Sequence, residues 1–332
     1  MTLTRYTNTR VGSRFDAKIA RMRAGSDTTS DFILADAKDA DMAGGLSALG
    51  TNRATGLPCT LSEFDAAITE IVKQDVVDIL LASVSTLGRL DKTGIFANSP
   101  IRRAVRLNDT SDLWRIRGAD YGRQPSIPFR TARLDLLPEP FGLYSMTFSG
   151  DAREDAESLS RYRDFRAEAQ AAGVAHFLEV FNPVHPLLDQ DDHGAFLNDM
   201  VSRTLAGMHE SERPVFLKLA FNGARVLEAF CRYDRTLIVG IMGGGSGTTR
   251  DCLELLHQAQ QSGARAALFG RKILDAEHPP SMVAMMRAVV ERRLTPVEGV
   301  KIYHEEILAR GLSPLRPIEA DLQVTEPTLQ LA

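Results

Sequence analysis

The stretch Pro214-Val-Phe-Leu-Lys-Leu-Ala-Phe221 is apolar at nearly every position, so it reads as a strand covered on both faces. Strands of that kind belong to parallel sheets clothed by helices. Seven more runs of strand length flank it: Phe32 to Ala35, Asp78 to Ala82, Ala104 to Leu107, Leu143 to Phe148, His176 to Phe181, Leu237 to Ile241 and Ala266 to Phe269. Segments between them carry helical periodicity, clearest over Leu61 to Lys73, Asp151 to Ala172, Phe196 to Met208, Thr248 to Ser262 and Pro280 to Arg292. Gly173 and Gly263 stand where C-terminal caps would end two of these helices. Eight strands alternating with helices close most economically as a (β/α)8 TIM barrel, with a doubly wound open sheet as the alternative. The expectation is one domain over 1–332, with the barrel core at 26–312. Val300 to Arg310 forms a last helix outside the ring, and the tail from Ser313 lies on the surface.

Between Asn108 and Pro140 the pattern breaks into Trp114, several arginines, Tyr121 and prolines. This is a long loop excursion after the third strand, with a hairpin over Phe129 to Leu134. Loops of this length usually serve as lids or contacts, and a homo-oligomer is the expected assembly.

Composition narrows the class. The 332 residues are 44% hydrophobic and 25% charged, with a net charge of -4, and no Lys/Arg block forms a polyanion stripe. Nucleic acid is therefore not an expected partner. Cys59, Cys231 and Cys252 lack metal-ligand spacing and suit a reduced cytoplasmic setting, while no run approaches the ~20 apolar residues that cross a bilayer.

Lys218 is the most informative residue in the opening stretch. Burial disfavours the charged form of an amine and leaves more of it free to attack a carbonyl and form a Schiff base. The alternative is a lysine at the rim that snorkels to water. Side chains at strand ends share one barrel mouth, and Glu179 holds the comparable place on the preceding strand. A carboxyl there suits proton transfer to and from substrate, or an ion pair with Lys218. Asp36 ends the first strand and could orient a hydroxyl or the lysine; Lys38 follows it as a substrate contact. Arg106 and Asn108, near the end of the third strand, could touch substrate hydroxyls or brace the loop.

The loop Gly243-Gly-Gly-Ser-Gly-Thr-Thr249 follows the seventh strand and opens a helix, and Phe269-Gly270-Arg271 ends the eighth. Loops after strands 7 and 8 form the usual phosphate cradle of this barrel. The expected phosphate contacts are Gly244, Gly245, Ser246, Gly270 and Arg271. No cofactor and no metal are called for, because no histidine joins the acids at ligand spacing.

With Phe216-Leu-Lys-Leu219, the Gly243 loop and Leu268-Phe-Gly-Arg-Lys-Ile273 in this order, the chain resembles the class I aldolases of the deoxyribose-phosphate and tagatose-bisphosphate aldolase superfamily. The likeness runs from about Asp31 to Val290. In that family a sixth-strand lysine forms the Schiff base, which Lys218 matches. The tagatose-bisphosphate type uses a fifth-strand glutamate for proton transfer, which Glu179 resembles. The resemblance implies that Gly244, Gly245, Gly270 and Arg271 hold a substrate phosphate. The archaeal fructose-bisphosphate type has His-Gly after its first-strand aspartate and a tyrosine on the fourth strand. Here Ala37-Lys38 and Phe148 stand in those places, with Tyr144 four residues earlier, so the Glu179 route is preferred.

The expected activity is that of a lyase acting on a phosphorylated ketose or related keto sugar. A transaldolase-like transferase would keep Lys218 but need a second acceptor. A noncatalytic sugar-phosphate-binding protein would keep the cradle and form no imine.

Overall fold

The computed structural model describes residues 13–53, 55–184, 190–245 and 247–330. Ser246 and His185 lie outside the described residues. Eight parallel strands form a closed ring: β1 (Ile33–Lys38), β2 (Ile79–Ala82), β3 (Arg102–Arg106), β4 (Phe141–Thr147), β5 (Ala175–Phe181), β6 (Leu217–Leu219), β7 (Val239–Met242) and β8 (Ala266–Phe269). Each pairs with its sequence neighbours, and β8 returns to β1 through Ile33 opposite Ala266. Every expected run contains a strand. The third begins earlier than its apolar residues, because Arg102 and Arg103 are neutralised by Glu139 and by Asp91.

Side-chain alternation builds two cores. Ile33, Ala35, Ile79, Leu81, Ala104, Leu143, Phe177, Phe216 and Leu268 fill the barrel interior. Leu34, Leu80, Val105, Tyr144, Leu178, Leu217 and Phe269 face the helices instead. The ring of helices comprises α1 (Arg14–Arg23), the short α2 (Ala40–Gly44), α3 (Leu61–Gln74), α4 (Val84–Lys92), α5 (Ala152–Ala172), α6 (Gln190–Ala206), α7 (Ala224–Tyr233), α8 (Thr249–Gln261), the one-turn α9 (Arg271–Leu274), α10 (Pro279–Val290) and α11 (Pro296–Ala309). Gly173 ends α5 at φ 68°, a left-handed conformation that favours glycine.

The barrel core begins before residue 26. Helix α1, started by Ser13 accepting from the Asp16 N–H, buries Phe15, Ile19 and Met22 against the barrel interior. At about 1.5–3 kcal/mol for each large side chain, this plug is a substantial part of the fold. Its polar counterpart is Asp78, just before β2. That fully buried carboxylate pairs with Lys18 and Arg14 at 2.9 Å and Arg287 at 2.5 Å, and accepts from the Leu34 N–H. Burial alone would raise the Asp78 carboxyl, but Arg287 and Lys18 hold it below its ordinary range. Lys18 is lowered in turn, because burial and two neighbouring guanidiniums outweigh the help of one carboxylate.

The tail does more than lie on the surface. Its short helix α12 (Ile318–Asp321) packs on α11, and α13 (Pro327–Gln330) docks on α8. Asp321 accepts from the Thr249 N–H at 2.7 Å, and Thr325 donates its backbone N–H to Asp251 at 2.6 Å. Gln258 reaches the Leu329 carbonyl at 2.9 Å. These bonds tie the end of the chain to the helix that follows the glycine-rich loop.

In the excursion after β3, Asp109–Thr110 pairs antiparallel with Pro128–Phe129, so the hairpin lies upstream of Leu134. Leu134–Leu136 is a helical turn. Trp114 packs edge-on against Tyr121 and Phe129, both at 4.8 Å, giving the excursion its own small core. Arg161 on α5 donates to the Pro128 carbonyl and Arg130 pairs with Glu168, fastening it to the barrel wall.

Candidate active site

The strand registers place Ser145, Glu179, Lys218 and Gly240 side by side on β4 to β7. Glu179 and Lys218 follow Phe177 and Phe216 by two residues, so all four point into the barrel. Lys218 Nζ lies 2.5 Å from Glu179 Oε1, with both side chains buried. Ser145 donates its hydroxyl to Glu179 Oε2 at 2.7 Å. The Glu179 carboxylate is thus held between one donor and one amine. Gly240 supplies no side chain next to Lys218, and a Cβ there would sit 2.8 Å from that of Ala266.

Asn108 holds this row in place. Its amide accepts from the Ser145 N–H at 2.6 Å and donates to the Ser145 carbonyl at 2.8 Å, fixing β4 beneath the serine hydroxyl. It braces the site and does not line the cleft. Arg106 does line it, bonded to Asp39 at 2.8 Å and Asp109 at 2.7 Å. Burial opposes the Arg106 charge, but Asp39, Asp109 and Glu179 outweigh it and hold the guanidinium charged. Asp109 also accepts from the Trp114 indole N–H at 3.2 Å, so the excursion is rooted in the site.

Asp36 is a correction. Its register partners Leu80 and Phe269 belong to the outer core, and its own partner is Lys38 at 3.0 Å. It faces away from Lys218 because β1 alternates, with Ala35 and Ala37 turned inward. Burial raises the Asp36 carboxyl, which Lys38 only partly offsets. Asp39 is the acid from this strand end that reaches the cleft; Lys38, 1% exposed, lines it too. Phe148 and Tyr144 likewise pack outward, Tyr144 stacked on Phe165 at 4.2 Å. The fourth-strand positions with the parity of Ser145 are held by no tyrosine: Ser145 is followed by Thr147.

On the opposite side of the mouth, Gly243, Gly244, Gly270 and Arg271 line the same cleft. Arg271 Nη2 donates to the Gly244 carbonyl at 3.2 Å, bridging the loops after β7 and β8. Lys272 donates to the Gly247 carbonyl at 3.0 Å. Gly245 does not line the cleft, and a Cβ on it would lie 3.2 Å from the Glu326 carboxylate of the tail. At the start of α8 three backbone N–H groups are already engaged. The Thr248 and Asp251 N–H groups serve the capping box, and the Thr249 N–H is taken by Asp321. Burial would raise Asp321, but the Thr249 and His304 bonds hold it below its ordinary range.

The cleft encloses about 820 Å³ and gathers Lys218, Glu179, Arg106, Lys38 and Asp39 with Arg53, Arg115 and Arg271. Arg53 and Arg115 escape a reading by motif, since each sits in an irregular loop whose course depends on distant contacts. Arg115 is delivered by its own N–H bond to the Ala43 carbonyl at 3.0 Å. Arg271 is lowered from its ordinary value by burial and then by the neighbouring charge of Arg115. Among the described residues, no three His, Cys, Asp or Glu side chains are grouped to hold a metal ion, and no helix is long and apolar enough to cross a membrane.

No protein-family profile and no curated protein sequence matches the chain. Solved structures do. An archaeal fructose 1,6-bisphosphate aldolase superposes with a TM-score of 0.63 at 11% identity, over 84% of this chain and 99% of that one. A Schiff base forming fructose-1,6-bisphosphate aldolase gives 0.60 at 12% identity, over 84% and 99%. The fructose-bisphosphate aldolase of Slackia heliotrinireducens gives 0.61 at 12%, over 91% and 95%. The chain therefore has the closed eight-stranded barrel fold of the fructose-bisphosphate aldolases that work through a Schiff base.

Proposed function

We propose that the chain is a class I aldolase that cleaves or forms a C–C bond in a phosphorylated ketose or related keto sugar. The observation that carries this reading is the Lys218 Nζ to Glu179 Oε1 contact of 2.5 Å at a barrel mouth that also presents Arg271. Replacing a buried ion pair by apolar residues is often neutral or stabilising, so stability alone gives little reason for one here. Proton transfer does.

In the cleavage direction Glu179 takes a proton from the Lys218 ammonium, and the free amine attacks the substrate carbonyl. Glu179 returns that proton to the departing hydroxyl as the carbinolamine loses water, which leaves an iminium and a carboxylate again. Glu179 then accepts the proton of the aldol hydroxyl, the C–C bond breaks into the iminium as an enamine, and an aldehyde departs. Protonation of the enamine and hydrolysis return Lys218. Ser145 keeps the carboxylate aimed throughout, while Arg106 is placed to meet substrate oxygens and Lys38 is held by Asp36. The similarity of fold to a Schiff base forming aldolase supports the same assignment.

A panel of phosphorylated ketoses, assayed for released aldehyde with and without an added acceptor aldehyde, tests this reading. Aldehyde release without an acceptor is the expected result. Turnover only with an acceptor would make the chain a transferase, and no turnover of any compound would leave it a binding protein.

A further inference from the structure

The arginine pair at the phosphate side of the cleft has more charge than its surroundings answer. Arg271 donates to a carbonyl and forms no ion pair among the described residues, with Asp275 the carboxylate whose charge acts on it. The Arg115 guanidinium has no hydrogen-bond or ion-pair partner among the described residues. Both line the cleft that holds Lys218, and each is close enough for its charge to act on the other. Two like charges set together this way are stabilised by an anion between them.

At α8 the Thr248, Thr249 and Asp251 N–H groups are already bonded to Asp251, Asp321 and Thr248, with Glu326 beside Gly245. Positive charge for a substrate phosphate on this side comes from the arginines that line the cleft.

We propose that Arg115, carried in by the excursion after β3, is a phosphate ligand that closes on the same phosphate as Arg271. This rests on the reading of the substrate as phosphorylated, and it gives the excursion a role. Its mini-core positions the residue: Trp114 packs on Tyr121 and Phe129 and bonds Asp109, which in turn bonds Arg106. Occupation of the site by phosphate thus bears on the residue next to the chain's one tryptophan.

Trp114 fluorescence provides a readout that needs no turnover. Inorganic phosphate, dihydroxyacetone phosphate and dihydroxyacetone are titrated into the full chain and into Lys218→Ala, Arg115→Ala, Arg115→Lys, Arg271→Ala and the double arginine variant. The two phosphate compounds should give a saturable change in the full chain and in Lys218→Ala. Arg115→Ala and Arg271→Ala should each weaken that binding by roughly 10- to 100-fold, the scale of a charged hydrogen bond. Arg115→Lys should fall between, and the double variant should bind phosphate more weakly than either single variant. Dihydroxyacetone binding should not respond to either arginine. Unchanged phosphate affinity in Arg115→Ala, with near-ultraviolet dichroism of Trp114 preserved, would overturn the proposal. Phosphate binding that survives in Lys218→Ala separates this site from the imine chemistry.

Discussion

Glu179→Gln separates the chemical role of the carboxylate from its structural one. The amide keeps the size of the side chain and still accepts from the Ser145 hydroxyl now at 2.7 Å, but it loses the charge and the transferable proton facing Lys218 at 2.5 Å. General acid–base groups contribute about 10² to 10⁴-fold, so turnover should fall on that scale. Breaking a buried pair by removing one partner costs about 3–5 kcal/mol if the other stays charged. The variant keeps the Ser145 hydrogen bond and the barrel packing around it, so it should stay folded at a reduced melting midpoint. Initial rates of aldehyde release, measured well below the melting midpoint and compared with thermal unfolding of both proteins, separate the two effects. An unchanged rate would reduce Glu179 to an ion-pair partner. A rate loss that only tracked loss of folded protein would do the same.

Arg271→Ala should weaken phosphorylated substrate by about 1.5–3 kcal/mol and leave its unphosphorylated analogue alone. Equal losses for both, by competition binding, would make Arg271 a structural residue. Asp78→Asn should cost about 3–5 kcal/mol in denaturant unfolding, because it strands Lys18 and Arg287 at the closed end of the barrel. Because Asp78 is depressed in the fold, its contribution is complete above its ordinary value of 3.8 and is lost as pH falls through the lower folded value. Below pH 3.8 the wild type should therefore lose stability more steeply than the asparagine variant, and parallel curves would contradict the assignment. Activity should survive extensive chelation, since an iminium serves as the electron sink. Loss with EDTA and recovery with a divalent ion would require a metal-dependent route.

The barrel and the Lys218–Glu179 row were legible because eight apolar runs alternate with helical segments and single charges stand out within them. Strand parity was not. In a run apolar on both faces the inward side carries no hydrophobic signature, which is why Asp36 reads as a site residue although it faces the helices with Leu34. Asp39, three residues on, lies past the even alternation that would have identified it. The α1 plug shows Phe15, Ile19 and Met22 at helical spacing, but its charged residues mask the stripe. Arg115 and the tail depend on contacts of long sequence separation, such as Thr325 to Asp251, and no local pattern announces them.

The most direct test of the central claim is covalent. Incubating the full chain with a turned-over phosphorylated ketose and borohydride, then mapping peptides by mass, should place the reduced carbonyl fragment on Lys218 and nowhere else. Labelling on Lys38 or Lys272, or turnover without any trapped adduct, would contradict the Schiff-base account.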